Sequence, residues 1–99
     1  MAPMNSSFAF SSLSHPARSI ERWVIERVAF YLDCSVRDVD PSVPLCETGI
    51  DSASAIGLCG DVEDHWQIDA DPTLVFDYPT ISDIAAFIAG SLAPLELAA

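Results

Sequence analysis

Apolar residues recur at three- and four-residue spacing in three separate stretches of the chain. That spacing places them on one side of a helix, so each stretch predicts an amphipathic helix facing a shared core. The first helix is predicted to begin at residues 16–19 and end near Leu32, and the second to run from Asp51 or Ser52 to Trp66. Their predicted core positions are Ile20, Trp23, Val24, Val28, Tyr31 and Leu32, then Ala55, Leu58, Cys59, Val62 and Trp66. The charged residues predicted to face water on the first helix are Glu21, Arg22, Glu26 and Arg27.

The third long helix has start and stop signals of its own. Thr80 and Asp83 have the spacing of a capping box, which predicts the start. Gly90 and Pro94 predict the end. The apolar stripe between them is Ile81, Ile84, Ala85, Ile88 and Leu92.

The connections between these helices contain prolines that block longer helices. In residues 33–50, Ser35 and Asp38 predict one short turn. The apolar residues expected to anchor this loop are Val36, Val39, Val43, Leu45 and Ile50. A second short turn is predicted at residues 73–76, with Leu74, Val75 and Phe76 filling the core. No segment alternates convincingly with a period of two, so we predict an all-α, small four-helix bundle: three main helices, one short helix and a long first loop.

Length, composition and charge limit the classes of partner that the protein can bind. The 99 residues suffice for one small domain, and the formal net charge is −11. All four arginines lie within the first 37 residues, the chain has no lysine, and twelve of the fifteen carboxylates lie from Asp38 onward. Nucleic acid and anionic membranes require cations, so neither is an expected partner. A basic protein surface is the expected complement.

The cysteines indicate the redox environment of the protein, and the composition of the chain ends indicates where the folded domain begins and ends. Cys34, Cys46 and Cys59 are odd in number and lack CxxC spacing, which favours reduced thiols in a cytoplasmic protein without a zinc site. Cys59 is predicted to be a small core residue. No apolar run is long enough for a membrane span. Residues 1–17 are predicted to be a flexible leader or linker, residues 18–92 the folded domain, and residues 93–99 a flexible tail.

The second helix begins with the pair Asp51-Ser52. Asp51 is predicted to be its N-cap, with a carboxylate that accepts hydrogen bonds from the first backbone amides. Ser52 then lies at the positive end of the helix dipole, which favours an anionic group such as a phosphate ester. On this dipeptide alone, an ordinary polar helix start is the favoured interpretation.

The wider context changes that interpretation. The strings "GIDSASAIGL" and, after the second helix, "TLVFDYPTISDIAAFI" resemble the acyl carrier protein family, in particular the carrier domains of modular polyketide synthases. The resemblance covers roughly residues 19–92. It implies that Ser52, with Asp51 beside it, receives 4′-phosphopantetheine from coenzyme A through a Mg²⁺-dependent phosphopantetheinyl transferase. The thiol of that arm would carry acyl groups as thioesters between partner enzymes.

The resemblance also implies a surface that partners read. That surface comprises the second helix and the end of the preceding loop, with candidate residues Ile50, Ala53, Ile56, Gly57, Gly60, Asp61 and Asp64. The implied partners are the transferase and an acyltransferase, ketosynthase or other synthase enzyme, and we expect a monomer. The chain departs from the family where Ala53 replaces a leucine and Gly57 replaces a glutamate. One hypothesis is that Gly57 and Gly60 flatten a face for a partner or acyl chain; the alternative is surface drift compensated by packing elsewhere.

Three other functions are alternatives to an acyl carrier. A peptidyl or aminoacyl carrier is the first alternative, although Gly49-Ile50-Asp51 before the serine is unlike the Gly-Gly-His/Asp-Ser signature more common in peptidyl carriers. An unmodified carrier-like interaction module is the second. An enzyme is not expected: "GIDSA" is not a Gly-x-Ser-x-Gly elbow, and neither His15 nor His65 is a plausible base for Ser52. The predicted role is that of a non-catalytic carrier.

Overall fold

The computed structural model describes residues 16–98. Within that range it contains four α-helices and no β-strand. The helices are α1 (Pro16–Leu32), α2 (Ser52–Trp66), α3 (Leu74–Asp77) and α4 (Ile81–Ala98), with short 3₁₀ turns at Val36–Asp38 and Leu45–Glu47. The prediction of an all-α four-helix bundle with one short helix and a long first loop is confirmed. Of the predicted leader, residues 1–15 lie outside the described range, and Pro16 already begins α1.

All three long helices contribute to one apolar core. Its largest fully buried side chains are Val24, Val28, Leu45, Leu58, Val62, Ile81, Ile84 and Ile88. Burying one such side chain stabilises a fold by about 1.5–3 kcal/mol. Among the residues whose burial is described, no polar or charged side chain is buried. Polar side chains therefore lie outside this core, at the surface, at the helix ends or partly buried between helices.

Leu45 holds the long first loop against this core. Its side chain is fully buried, and its N–H donates to the carbonyl of Pro79 at 2.8 Å. A second hydrogen bond joins the N–H of Ser82 to the carbonyl of Pro41 at 3.1 Å. These contacts attach the loop to the turn between α3 and α4 and so determine where the chain enters α2.

Two predictions of burial are wrong: the loop anchor Val36 and the core residue Phe76 are both exposed. Val36 is 48% exposed because it begins a three-residue 3₁₀ turn capped by Ser35, whereas Val39, just after that turn, is buried. Phe76 is 72% exposed. Successive residues of an α-helix point about 100° apart, so the four-residue α3 buries Leu74 and Val75 and directs Phe76 away from the core.

The predicted end of α4 is also wrong. The capping box at its start is confirmed, because the N–H of Asp83 donates to Oγ1 of Thr80 at 3.0 Å. However, α4 continues through Gly90 and Pro94 to Ala98, so the segment expected as a flexible tail is helical up to that residue. Proline removes one main-chain hydrogen bond. The flanking alanine, leucine and glutamate residues all favour helix, which offsets that loss.

A polar network joins α1 to α2. Oδ2 of Asp61 accepts hydrogen bonds from Nη2 of Arg27 at 2.9 Å, from Nε of Arg27 at 3.2 Å and from the hydroxyl of Tyr31 at 2.7 Å. The guanidinium of Arg27 also lies 4.6 Å from the ring centroid of Phe30. The prediction that Arg27 faces water therefore holds only in part, because its side chain is 32% exposed and is paired with Asp61. Desolvation raises the pKa of Tyr31, and its hydrogen bond to Asp61 raises it further, so the phenol remains a donor.

Gly57 makes this network possible. A Cβ at position 57 would lie 2.7 Å from the hydroxyl oxygen of Tyr31 and 3.1 Å from its Cζ. Both distances are shorter than ordinary van der Waals contact, so a side chain here would displace the ring that bonds to Asp61. Gly60 differs, since a Cβ there meets nothing within 4 Å.

We therefore expect alanine substitutions at Gly57 and Gly60 to change the free energy of unfolding in opposite directions. Gly60→Ala should raise the free energy of unfolding by about 1 kcal/mol, the usual helix-propensity difference. Gly57→Ala should lower it, because moving Tyr31 weakens the hydrogen bond to Asp61. Urea denaturation followed by circular dichroism measures both. In a Tyr31→Phe background, which lacks the hydroxyl, Gly57→Ala should cost less; equal stabilisation by both alanines would contradict the assigned role of Gly57.

Candidate functional site

The start of α2 is capped as the sequence predicts. Asp51 has extended backbone angles (φ −93°, ψ 177°), and its Oδ1 accepts a hydrogen bond from the N–H of Ser54 at 2.7 Å. Its carbonyl accepts the first helical hydrogen bond, from the N–H of Ala55 at 2.9 Å. The backbone N–H of Ser54 and then its side chain lower the pKa of Asp51. The carboxylate is thus held ionised at the positive end of the helix.

Gly49 sets the approach to this cap. Its φ of +102° lies in a region that residues with a Cβ rarely adopt. The reversal brings Ile50 back so that its half-buried side chain packs against the core. A side chain at position 49 would strain the backbone two residues before the N-cap.

Ser52 is the first residue of α2, and it is exposed. The N–H groups of the first helical turn have no intrahelical carbonyl to bond, so those of Ser52 and Ala53 are available to an anion. Ala53 is small and also exposed, which leaves room beside the Ser52 hydroxyl. A hydroxyl in this position fits esterification by a bulky phosphate-linked group.

The candidate partner residues divide into two groups. Those that are exposed on α2 are Ala53, Ile56, Gly60 and Asp64. Those that are half-buried are Ile50, Gly57 and Asp61. The carboxylate of Asp61 faces Arg27 and Tyr31, contrary to the expectation of an open acidic contact for partners. Gly57 is covered by Tyr31, so the hypothesis that both glycines flatten an open face holds at most for Gly60.

The remaining candidate residues lie away from Ser52. His65 is exposed near the opposite end of α2, about 20 Å along the helix, and stacks on Trp23 with ring centroids 4.7 Å apart. Cys59 is buried, and burial raises the pKa of its thiol, which confirms its role as a core residue. The part of the chain that the structure describes holds no cluster of three metal-ligating side chains.

Sequence periodicity misses one exposed apolar residue, in α3. The apolar run of α3 predicts that Phe76 lies in the core, yet it is 72% exposed, as Ile56 is at 59%. The signal available in the sequence is the shortness of the segment between its two flanking prolines, which permits too few turns to bury three consecutive apolar residues. Within the described residues, none of the helices is long and apolar enough to cross a membrane.

Part of this chain is similar in sequence to segments of curated proteins. It is 27% identical over 70 residues to a phenolphthiocerol/phthiocerol polyketide synthase of Mycobacterium tuberculosis, and 33% identical over 66 residues to 6-methylsalicylic acid synthase of Penicillium patulum. The matches cover 71% and 67% of this chain. The chain spans only 4% of the length of each of these two relatives.

Solved structures show the same architecture. A free-standing peptidyl carrier protein from an uncharacterized secondary metabolic pathway of Acinetobacter baumannii superposes with a TM-score of 0.75 at 29% identity, covering 77% of this chain and 95% of that one. The HMG-ACPI domain of the CurA module from Lyngbya majuscula shares the fold, with a TM-score of 0.76 at 18% identity and 81% of each chain covered.

The chain also matches a protein-family model, and this match assigns it to a family. The model described as a phosphopantetheine attachment site matches residues 22–88, which include the whole of α2 with its capped start, the whole of α3 and the first part of α4. The match agrees with the resemblance found in the sequence. The chain therefore belongs to the phosphopantetheine-attachment family of carrier domains, whose members carry 4′-phosphopantetheine covalently.

Proposed function

We propose that Ser52 is the attachment residue and that the domain carries acyl intermediates of a polyketide-type synthase. The observation that carries this proposal is the exposed Ser52 hydroxyl in the first turn of a capped helix, inside the segment matched by the family model. When bound, phosphopantetheine supplies a thiol on a flexible arm, which holds acyl groups as thioesters. The domain itself performs no catalytic step in this role.

The residues around Ser52 have separate tasks. Asp51 caps α2 by accepting a hydrogen bond from the N–H of Ser54, in the turn that also contains Ser52. The first-turn N–H groups stabilise the negative charge of a phosphodiester at Ser52. Gly49 supplies the positive φ of the turn that precedes the cap.

A peptidyl carrier is the second candidate. The structural neighbour from Acinetobacter baumannii is described as a peptidyl carrier protein and is 29% identical to this chain. The two curated polyketide-type synthases favour the acyl carrier, as does Gly49-Ile50-Asp51 before the serine in place of a Gly-Gly pair. Attachment to Ser52 would be common to both functions.

The partners follow from the same role. They are a phosphopantetheinyl transferase and the enzymes of a synthase, among them an acyltransferase or ketosynthase. The exposed residues Ala53, Ile56 and Asp64 of α2 are the part of the predicted surface that such partners would contact. We place the domain in the cytoplasm as a monomer.

Modification of Ser52 can be measured directly. Incubation with coenzyme A, Mg²⁺ and a broad-range phosphopantetheinyl transferase should add the mass of one phosphopantetheine unit to the intact protein. Ser52→Ala should abolish the gain, because the variant lacks the hydroxyl that attacks coenzyme A. Ser54→Ala, which removes a hydroxyl from the same helical turn, is the matched control and should still be modified.

Two results would contradict the proposal. A gain in mass that persists in Ser52→Ala would place the attachment at another residue. A folded wild-type protein that remains unmodified with two different transferases would indicate a carrier-like interaction module without an arm.

The cap at Asp51 should respond to pH in a defined direction. Its hydrogen bonds lower its pKa in the folded state, so the carboxylate contributes stability above its unfolded pKa and loses it as pH falls through the folded pKa. Asp51→Asn keeps an N-cap acceptor and should lower the urea midpoint less than Asp51→Ala at pH 7. The difference between wild type and Asp51→Asn should shrink in acid. Equal midpoints for wild type and both variants at pH 7 would show that the cap does not contribute.

A further inference from the structure

The register between α1 and α2 is defined by contacts that recur every four residues on both helices. Three pairs of residues make these contacts: Tyr31 with Gly57, Arg27 with Asp61, and Trp23 with His65. From one pair to the next the chain moves four residues back along α1 and four forward along α2, so the helices run antiparallel here. A slide of α2 by one residue would break all three contacts. The pair nearest to Ser52 is that of Tyr31 and Gly57.

Hydrogen bonds fix this register at a single acceptor. Among the residues that the structure describes, the hydrogen bonds between α1 and α2 all end at Oδ2 of Asp61, and the shortest comes from the hydroxyl of Tyr31 at 2.7 Å. No hydrogen bond between described residues joins segment 48–55 to another α-helix. Apolar packing has no preferred direction, whereas a hydrogen bond weakens steeply when it is bent. The bond from Tyr31 therefore limits sliding of α2 more than the packing around Ser52 does.

The last turn of α1 contacts the chain on both sides of Ser52. Three residues before Ser52, a Cβ added to Gly49 would lie 3.6 Å from Cδ2 of Leu32, so this side chain lies against the approach to α2. Five residues after Ser52, and about 7.5 Å along the helix axis, Tyr31 covers Gly57. Tyr31 and Leu32 are adjacent and half-buried, so one turn of α1 supports the chain before and after the serine.

Transfer of phosphopantetheine requires the Ser52 hydroxyl at a defined place. Its oxygen attacks the phosphorus that bears pantetheine in coenzyme A, the P–O bond to adenosine 3′,5′-bisphosphate breaks, and the hydroxyl proton passes to a base of the transferase. A misplacement of about 1 Å can slow an enzymatic step about 100-fold. We propose that Tyr31 and Leu32 are positioning residues for this transfer, although neither touches the reacting atoms. This inference rests on the proposed function of Ser52.

Tyr31→Phe tests the hydroxyl, since it keeps the ring over Gly57 and removes only the donor to Asp61. Without that bond, α2 leaves its position for part of the time, and the apparent affinity of the transferase falls with the fraction of competent molecules. With coenzyme A, Mg²⁺ and a broad-range transferase, the KM for the domain should rise about fivefold, the factor that about 1 kcal/mol gives. The kcat should change less than about twofold, because the bound domain is competent.

Leu32→Ala tests the contact before Ser52, and it should raise KM in the same way. Leu32→Met keeps an apolar side chain of similar volume, so it should restore KM to within about twofold of wild type. Ile88→Val is the control for stability. Ile88 is fully buried in α4, and removing one methylene there costs about as much stability as losing one hydrogen bond. This control should leave KM unchanged.

Amide hydrogen exchange of the unmodified protein tests the positioning without any transfer. The N–H of Ala55 donates to the carbonyl of Asp51 at 2.9 Å, so its exchange reports opening of the first turn of α2. Tyr31→Phe should speed exchange at Ala55 about fivefold, whereas Ile88→Val should change it less than about twofold. Exchange at Ala85, buried in α4, should respond equally to the two variants, because it follows global stability.

Different results overturn the positioning role and the proposed function. With wild type modified, an unchanged KM in both Tyr31→Phe and Leu32→Ala would overturn the positioning role, as would an equal rise of KM in Ile88→Val. Exchange at Ala55 that ignores Tyr31→Phe would overturn it whether or not Ser52 is modified. A wild-type protein that accepts no arm would overturn the proposed function instead, and exchange alone would then decide whether Tyr31 fixes the start of α2.

Discussion

The structure depends on one apolar core that has to be shared by three long helices and a loop. A domain of this size has little interior volume, and the residues with described burial place no polar side chain in it. Leu45, in the long loop, is fully buried in this core, and its N–H donates to the carbonyl of Pro79, which holds the loop close to the turn after α3. Because the interior has no room for chemistry, a reactive group must stand at the surface, and the start of α2 is where backbone amides support one.

The contact between α2 and α1 differs in chemistry from the apolar core. Here the contact is polar, and it requires the absence of a side chain at Gly57 so that Tyr31 can reach Asp61. A glycine inside a helix costs about 1 kcal/mol relative to alanine. At position 57 that cost is offset by an interhelical hydrogen bond; at Gly60 the structure shows no such contact within the molecule. Two glycines three residues apart therefore have different physical explanations.

How far the sequence predicts the fold depends on the range of the interactions. Helical period and capping depend on neighbours three or four residues apart, so the three long helices, the Asp51 cap and the Thr80 cap are all predictable. The contact between Arg27 and Asp61 spans 34 residues, and no local pattern reports it. The prediction for Phe76 fails for a related reason: an apolar run shows that something is buried, but the number of turns available determines which residues. Family resemblance is what leads us to propose Ser52 as the attachment residue, since the dipeptide alone favours an ordinary helix start.

The distribution of charge connects the fold to its use. Arg27, at the contact between α1 and α2, is paired within the molecule. A groove beside α2 is lined by Glu63, Asp69, Asp71 and Asp77, none of which forms an ion pair with the described residues. An ion pair inside the domain adds to the contact between helices, whereas carboxylates left at a groove interact with whatever approaches. A carrier has to be bound and released by successive enzymes. Electrostatic attraction at an open acidic surface increases the rate of encounter, and burying little apolar area keeps each complex short-lived.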